Sequence, residues 1–223
     1  MRLPIVIAIP HKTTFLSCVF IRIPNDINHA YCMGRGAEPD NWKICSMSLE
    51  KLLIKNRKCG SCSVCCTSLR IEQPTLKKLA DVPCQHLSPQ GGCSIYNERP
   101  SVCRTWYCGW RILDIGPEMR PDRSGILIRY DGSSLCFQPI DKNRVSALIE
   151  PEPLRVLGGL IAQGMKVEIS VPTKEGYCSS NINVTEHMSQ AVKSREYAKM
   201  RSALLTAIQF ASQSKTDPIE PLE

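Results

Sequence analysis

Cys59-Gly60-Ser61-Cys62-Ser63-Val64-Cys65-Cys66 is a run that ordinary core cysteines do not make. Eight of the chain's 13 cysteines fall between positions 59 and 108: Cys59, Cys62, Cys65, Cys66, Cys84, Cys93, Cys103 and Cys108. A Cys-x2-Cys turn brings two sulfurs within reach of one ion, at bond lengths of roughly 2.3 Å. Cys59, Cys62 and Cys65 repeat that spacing and offer three thiols from one loop. Short loops hold iron–sulfur clusters in this way, with a fourth ligand arriving from elsewhere. Structural zinc uses the same donors in tetrahedral sets of four. Spacing alone does not separate a [4Fe–4S] cluster from zinc, because both accept four thiolates. The adjacent pair Cys65-Cys66 adds one point. Neighbouring side chains diverge, so the second sulfur serves another ion or another role.

Working outward, 47–111 reads as a cysteine-cluster module. Ser48 is expected to cap a short helix over 49–56, closed by Lys55, Arg57 and Lys58. A further short helix is expected over 75–80, after Pro74, with Pro83-Cys84 then returning a thiol. The 88–92 stretch, Ser-Pro-Gln-Gly-Gly, predicts a tight turn into Cys93. Pro100 is expected to start a helix over 101–106 that carries Cys103. The 112–123 stretch, with Gly116, Pro117 and Pro121, reads as a linker. Beyond it, 125–130 and 134–138 form a hairpin around Asp131-Gly132. Another strand is expected over 144–150. Pro153 opens a helix with Leu154, Leu157 and Ile161 on one stripe, closed by Gly164. The alternation of Val167, Ile169 and Val171 predicts a half-buried strand. One long helix is expected over 186–212. The fold class is therefore α+β: a small irregular metal-binding module, then a small sheet with packed helices over 112–213, then a flexible tail at 214–223. Residues 1–46 show no sustained period and read as a poorly ordered extension. Met47 would make a natural start.

The full pattern is Cys59-x2-Cys62-x2-Cys65-Cys66, then Pro83-Cys84-x-His-Leu, then Gly92-Cys93-Ser-Ile-Tyr96-x2-Arg99-Pro100-x2-Cys103. It resembles the CxxCxxCC cysteine-cluster family, YkgJ-type, described as a zinc- or iron-chelating domain. Flagellin lysine N-methylases carry a similar cysteine signature. The resemblance covers about residues 59–103. It implies metal ligation by Cys59, Cys62, Cys65, Cys66, Cys84, Cys93 and Cys103, with Arg99-Pro100 as the family's Arg-Pro step. Ser63-Val64 departs from it, since many relatives have glycine there. Cys108 lies outside the shared pattern and His86 is left out of the ligand set. The cofactor implied is an iron–sulfur cluster, 4Fe–4S in type, or zinc.

Composition agrees with a metal-organised first half. The 223 residues are 43% hydrophobic but only 6% aromatic. Formal net charge is +7, but two zinc tetrathiolates would each contribute about −2 and lower it to about +3. Nucleic acid is therefore not the expected partner; metal ions are, with a protein partner as an option. An odd cysteine count and the Cys65-Cys66 pair suit a disulfide framework poorly, so a reducing cytoplasm is expected. No stretch approaches the roughly 20 apolar residues of a membrane span. The first loop lacks the Cys-x3-Cys-x2-Cys spacing of radical S-adenosylmethionine enzymes. Gly159–Gly164 lacks the Lys-Ser/Thr ending of a phosphate loop. No catalytic acid, base or nucleophile is assigned. The function expected is a metal-binding protein in redox or metal homeostasis. The alternatives are a protein-modifying enzyme of the flagellin lysine methylase kind, an iron–sulfur oxidoreductase or a zinc-stapled interaction module.

Overall fold

The computed structural model describes residues 49–222. The expectations for 1–46, the start at Met47 and the Ser48 cap lie outside them. The chain is α+β, with a four-stranded mixed sheet and a separate two-stranded hairpin.

The larger sheet comprises β3 (Ile126–Tyr130), β4 (Leu135–Pro139), β5 (Val167–Val171) and β6 (Ser180–Asn183), in that spatial order. The β3–β4 turn is fixed by Asp131, whose Oδ1 accepts the Ser133 and Ser134 amides at 2.9 and 2.8 Å. β4 and β5 run parallel, which requires a crossover. Helix α5 (Pro151–Ala162) supplies it. The register places Ile128 opposite Phe137, Phe137 opposite Ile169, and Ile169 opposite Ile182, so one apolar row crosses all four strands. Side chains alternate across a sheet. That face and helices α5, α6 (Thr185–Ser194) and α7 (Tyr197–Ser212) enclose the core, while Arg129 and Cys136 pair on the opposite face.

Several elements differ from the expectation. Instead of a helix over 75–80 there is a hairpin, β1 (Ile71–Gln73) with β2 (Leu76–Lys78), turning at Pro74-Thr75. Leu76, Lys77 and Lys78 are buried, exposed and buried in turn, a period of two that a helix cannot satisfy. The 144–150 strand is a 3₁₀ turn, Val145–Ile149, with Ala147, Leu148 and Ile149 all buried. The supposed linker is core: Ile112, Leu113, Ile115 and Met119 are buried. Pro117 and Pro121 start short helical turns there, because a fixed φ suits the first helical position. The long C-terminal helix is two, broken at Arg195 in the left-handed conformation with φ +58°. β6 had no counterpart in the sequence reading. The segment read as a flexible tail makes hydrogen bonds: Ile219 N–H donates to Gly176 O and Cys178 N–H to Asp217 O, each at 2.9 Å.

Candidate metal centre

The first cysteine loop turns at Gly60, φ +58°, and Cys62 N–H donates to Cys59 O at 3.0 Å. A second turn lies directly on it. A Cβ at Gly91 would sit 2.6 Å from Ser61 O, and one at Gly92 would sit 3.0 Å from Gly60 O. Only glycine allows that approach, at φ +84° and +79°, and it brings Cys93 beside the first loop. Helix α1 (Val64–Ser68) carries Cys65 and Cys66, and Cys84 N–H donates to Cys66 O at 2.9 Å. Helix α2 (Ser101–Thr105) carries Cys103, and Cys108 stands at the start of α3 (Gly109–Ile112). Arg57 ties the two ends of this segment together. Its guanidinium donates to Trp110 O, Leu113 O and Ile115 O at 2.5, 2.7 and 2.5 Å. The backbone around Cys108 is thereby anchored to the strand of chain entering Cys59.

All eight cysteines between 59 and 108 are unpaired, and all eight line one cavity of about 430 Å³. Their mutual electrostatics arrange them as two groups of four, joined at Cys65, which responds to Cys66 before any other thiol. In the first, Cys108 feels Cys59 and Cys62, and Cys65 feels Cys59 and Cys108. In the second, Cys103 feels Cys66, Cys84 and Cys93. The Cys65-Cys66 step joins the groups through a hydrogen bond between the two thiols. That bond, then burial, raises Cys65. The same bond, helped by Lys78 and Arg99 and opposed by burial, holds Cys66 down at about 7. Burial pushes Cys108 up to about 11 and also raises Cys62 and Cys103. Backbone N–H groups face two of the first-group sulfurs and act the other way: those of Val64 and Asp122 on Cys62, those of Arg111 and Trp110 on Cys108. An amide aimed at sulfur favours thiolate, the form that binds metal.

Cations surround both groups. Arg111 Nη1 donates to Cys59 Sγ at 3.4 Å. Arg99 and Lys78 act on Cys66. Lys78 is buried, and its Nζ donates to the carbonyls of Thr67, Leu69 and Leu79 at the end of α1 and beside β2. Positive charge held this way suits sites where four thiolates outweigh a divalent ion.

Among the described residues, no three His, Cys, Asp or Glu side chains are drawn together as tightly as a bound ion holds its ligands. The donor chemistry nevertheless fits zinc or an iron–sulfur cluster: each group is a set of four unpaired thiols, without a disulfide. The seven cysteines expected as ligands, Cys59, Cys62, Cys65, Cys66, Cys84, Cys93 and Cys103, all face the cavity, and so does His86. Cys108 was not expected, and it joins them. Parity is the signal that could have found it, since seven thiols leave one set of four incomplete. Cys136, buried in β4, and exposed Cys178 stand apart from the cavity. Comparison with protein-family models, with curated proteins and with solved structures finds no match.

Proposed function

We propose that this chain is a metal-binding protein that holds zinc or iron–sulfur clusters in two four-thiolate sites, Cys59/Cys62/Cys65/Cys108 and Cys66/Cys84/Cys93/Cys103. One observation carries the reading. Between 59 and 108 the only buried hydrophobic side chain is Leu76, yet eight unpaired thiols from that segment surround one cavity. A segment without an apolar core needs another cross-link, and thiolate–metal bonds supply folding energy directly. The cysteine resemblance supports the same reading. The role is in redox or metal homeostasis, in a reducing compartment, the cytoplasm, where unpaired thiols persist. Among the described residues no helix is long and apolar enough to cross a membrane.

Bound zinc would cross-link the segment, and a bound cluster would add one-electron chemistry. The chain's own residues position the ligands. Arg111 and Lys78 offset thiolate charge, and the Gly60 and Gly91-Gly92 turns set the loops together. Anaerobic purification with elemental analysis and a visible spectrum tests the proposal. Iron with acid-labile sulfide and absorbance near roughly 400 nm identifies clusters. Two colourless zinc ions per chain identify structural sites. Anaerobically purified protein that holds neither zinc nor iron refutes the proposal.

A further inference from the structure

The cavity that the thiols line extends past them, and its remaining walls are unlike its floor. Its volume, about 430 Å³ with the thiol-lined floor included, lies within the range of small-molecule pockets, roughly 300–1,000 Å³. Leu69, Ile71, Val102, Tyr96 and Trp106 contribute aliphatic and aromatic surface. Four arginines reach it, and three are committed. Arg70 pairs with Glu72 and donates to the carbonyls of Glu220 and Pro221. Arg99 lies on the Tyr96 ring at 3.7 Å and donates to Tyr96 O at 2.7 Å. Arg111 donates to Cys59 Sγ.

Arg129 is the fourth. It projects from β3 on the face away from the helical core, and its sole hydrogen bond among the described residues runs from Nη2 to Cys136 Sγ at 3.3 Å. Sulfur is a weak acceptor. The Arg129 Nε is buried without a partner, and Arg129 joins none of the ion pairs among the described residues. Two carboxylates lie near it: Glu168 opposite Cys136 on β5, and Asp131, which also lines the cavity and is held by the amides and hydroxyls of Ser133 and Ser134. A guanidinium in no ion pair among the described residues, at the wall of a mostly apolar cavity, is arranged for an anion that the chain does not supply.

We infer that this cavity binds a small aromatic carboxylate, its ring among Tyr96, Trp106 and the aliphatic wall and its carboxylate on Arg129. The inference rests on the metal reading, because filled thiolate sites form the cavity floor and occupy the other cations. The experiment is calorimetric titration of the anaerobically purified full-length protein with 2-naphthoate and with its neutral counterpart 2-naphthamide. Metal content is measured on the same samples. The wild type is expected to bind naphthoate at least about tenfold more tightly than naphthamide, the scale of one charge-assisted hydrogen bond. Arg129→Gln should bring naphthoate down to the naphthamide level and leave naphthamide affinity and metal content unchanged; Arg129→Lys should fall between. Equal affinities for the two compounds overturn the inference without any variant. So does metal-replete wild type that binds neither, or Arg129→Gln with undiminished naphthoate binding. Wild-type protein without metal overturns the metal reading, and this inference with it.

Discussion

Cys65 and Cys66 respond first to each other, and beyond that to different partners, Cys59 and Cys108 for one and Lys78 and Arg99 for the other. Serine substitutions therefore sort by group. Cys65→Ser and Cys108→Ser should each lose the metal of the first site and keep that of the second, halving the metal per chain. Cys66→Ser and Cys103→Ser should do the reverse, and Cys136→Ser or Cys178→Ser should keep both. Elemental analysis reads this directly, and equal loss in all six variants would sink the partition. Arg57 offers a second test. Arg57→Met strips hydrogen bonds from three carbonyls, those of Trp110, Leu113 and Ile115. Unsatisfied buried groups cost roughly 1–3 kcal/mol each, and partial rehydration reduces the total to about 3 kcal/mol. A urea unfolding midpoint unchanged from wild type would contradict it. That the seven cysteines expected as ligands share one cavity was legible because thiol spacing is a local signal, written within single loops. Cys108 was not, because its place at the same cavity, near Cys59, comes from a contact across the Arg57 tie that leaves no mark in spacing.

The same divide separates the elements read well from those read badly. β3 and β4 announce themselves by short apolar runs on either side of the Asp131-Gly132 turn, β5 by the alternation of Val167, Ile169 and Val171, and α5 by its stripe of Leu154, Leu157 and Ile161 with Gly164 after it. β1 and β2 are three residues each, too short for any period to show, and Pro74 serves a turn as readily as a helix start. The break between α6 and α7 is the clearest failure. Neither Ser194 nor Arg195 is a helix breaker by type, and the split follows from both helices packing against α5 and each other. Arg195 is exposed and holds φ +58° at the end of α6, a conformation that disfavours a Cβ. Arg195→Gly should therefore stabilise the protein by about 1 kcal/mol, seen as a higher urea midpoint at constant slope. A lower midpoint would mean that the arginine side chain holds the corner together.

Apolar burial is distributed very unevenly over the molecule. In the continuous hydrophobic core every buried residue except Leu52 lies at Trp110 or beyond, and Leu76, the buried apolar residue of the cysteine segment, is outside that core. The sheet and helices thus have their own source of stability, while the segment over 59–108 has thiols, two glycine turns and a few tethers. On the proposed function, metal binding and folding would be linked in the second part and independent in the first. Treatment with a strong chelator should then open residues 59–108 and leave the sheet core intact. In limited trypsinolysis, Lys77, Lys78 and Arg104 should become cleavable, while a fragment from about residue 109 to 212 stays protected. The C-terminal stretch should loosen in the same step, because Arg70 in the cysteine segment holds the carbonyls of Glu220 and Pro221. Far-UV circular dichroism should keep most of its helical signal, since the longest helices, α5, α6 and α7, lie in the protected part. Loss of the whole signal together with the metal would show instead that the core depends on the cysteine segment, with Arg57 and Leu52 as the joint through which it does so.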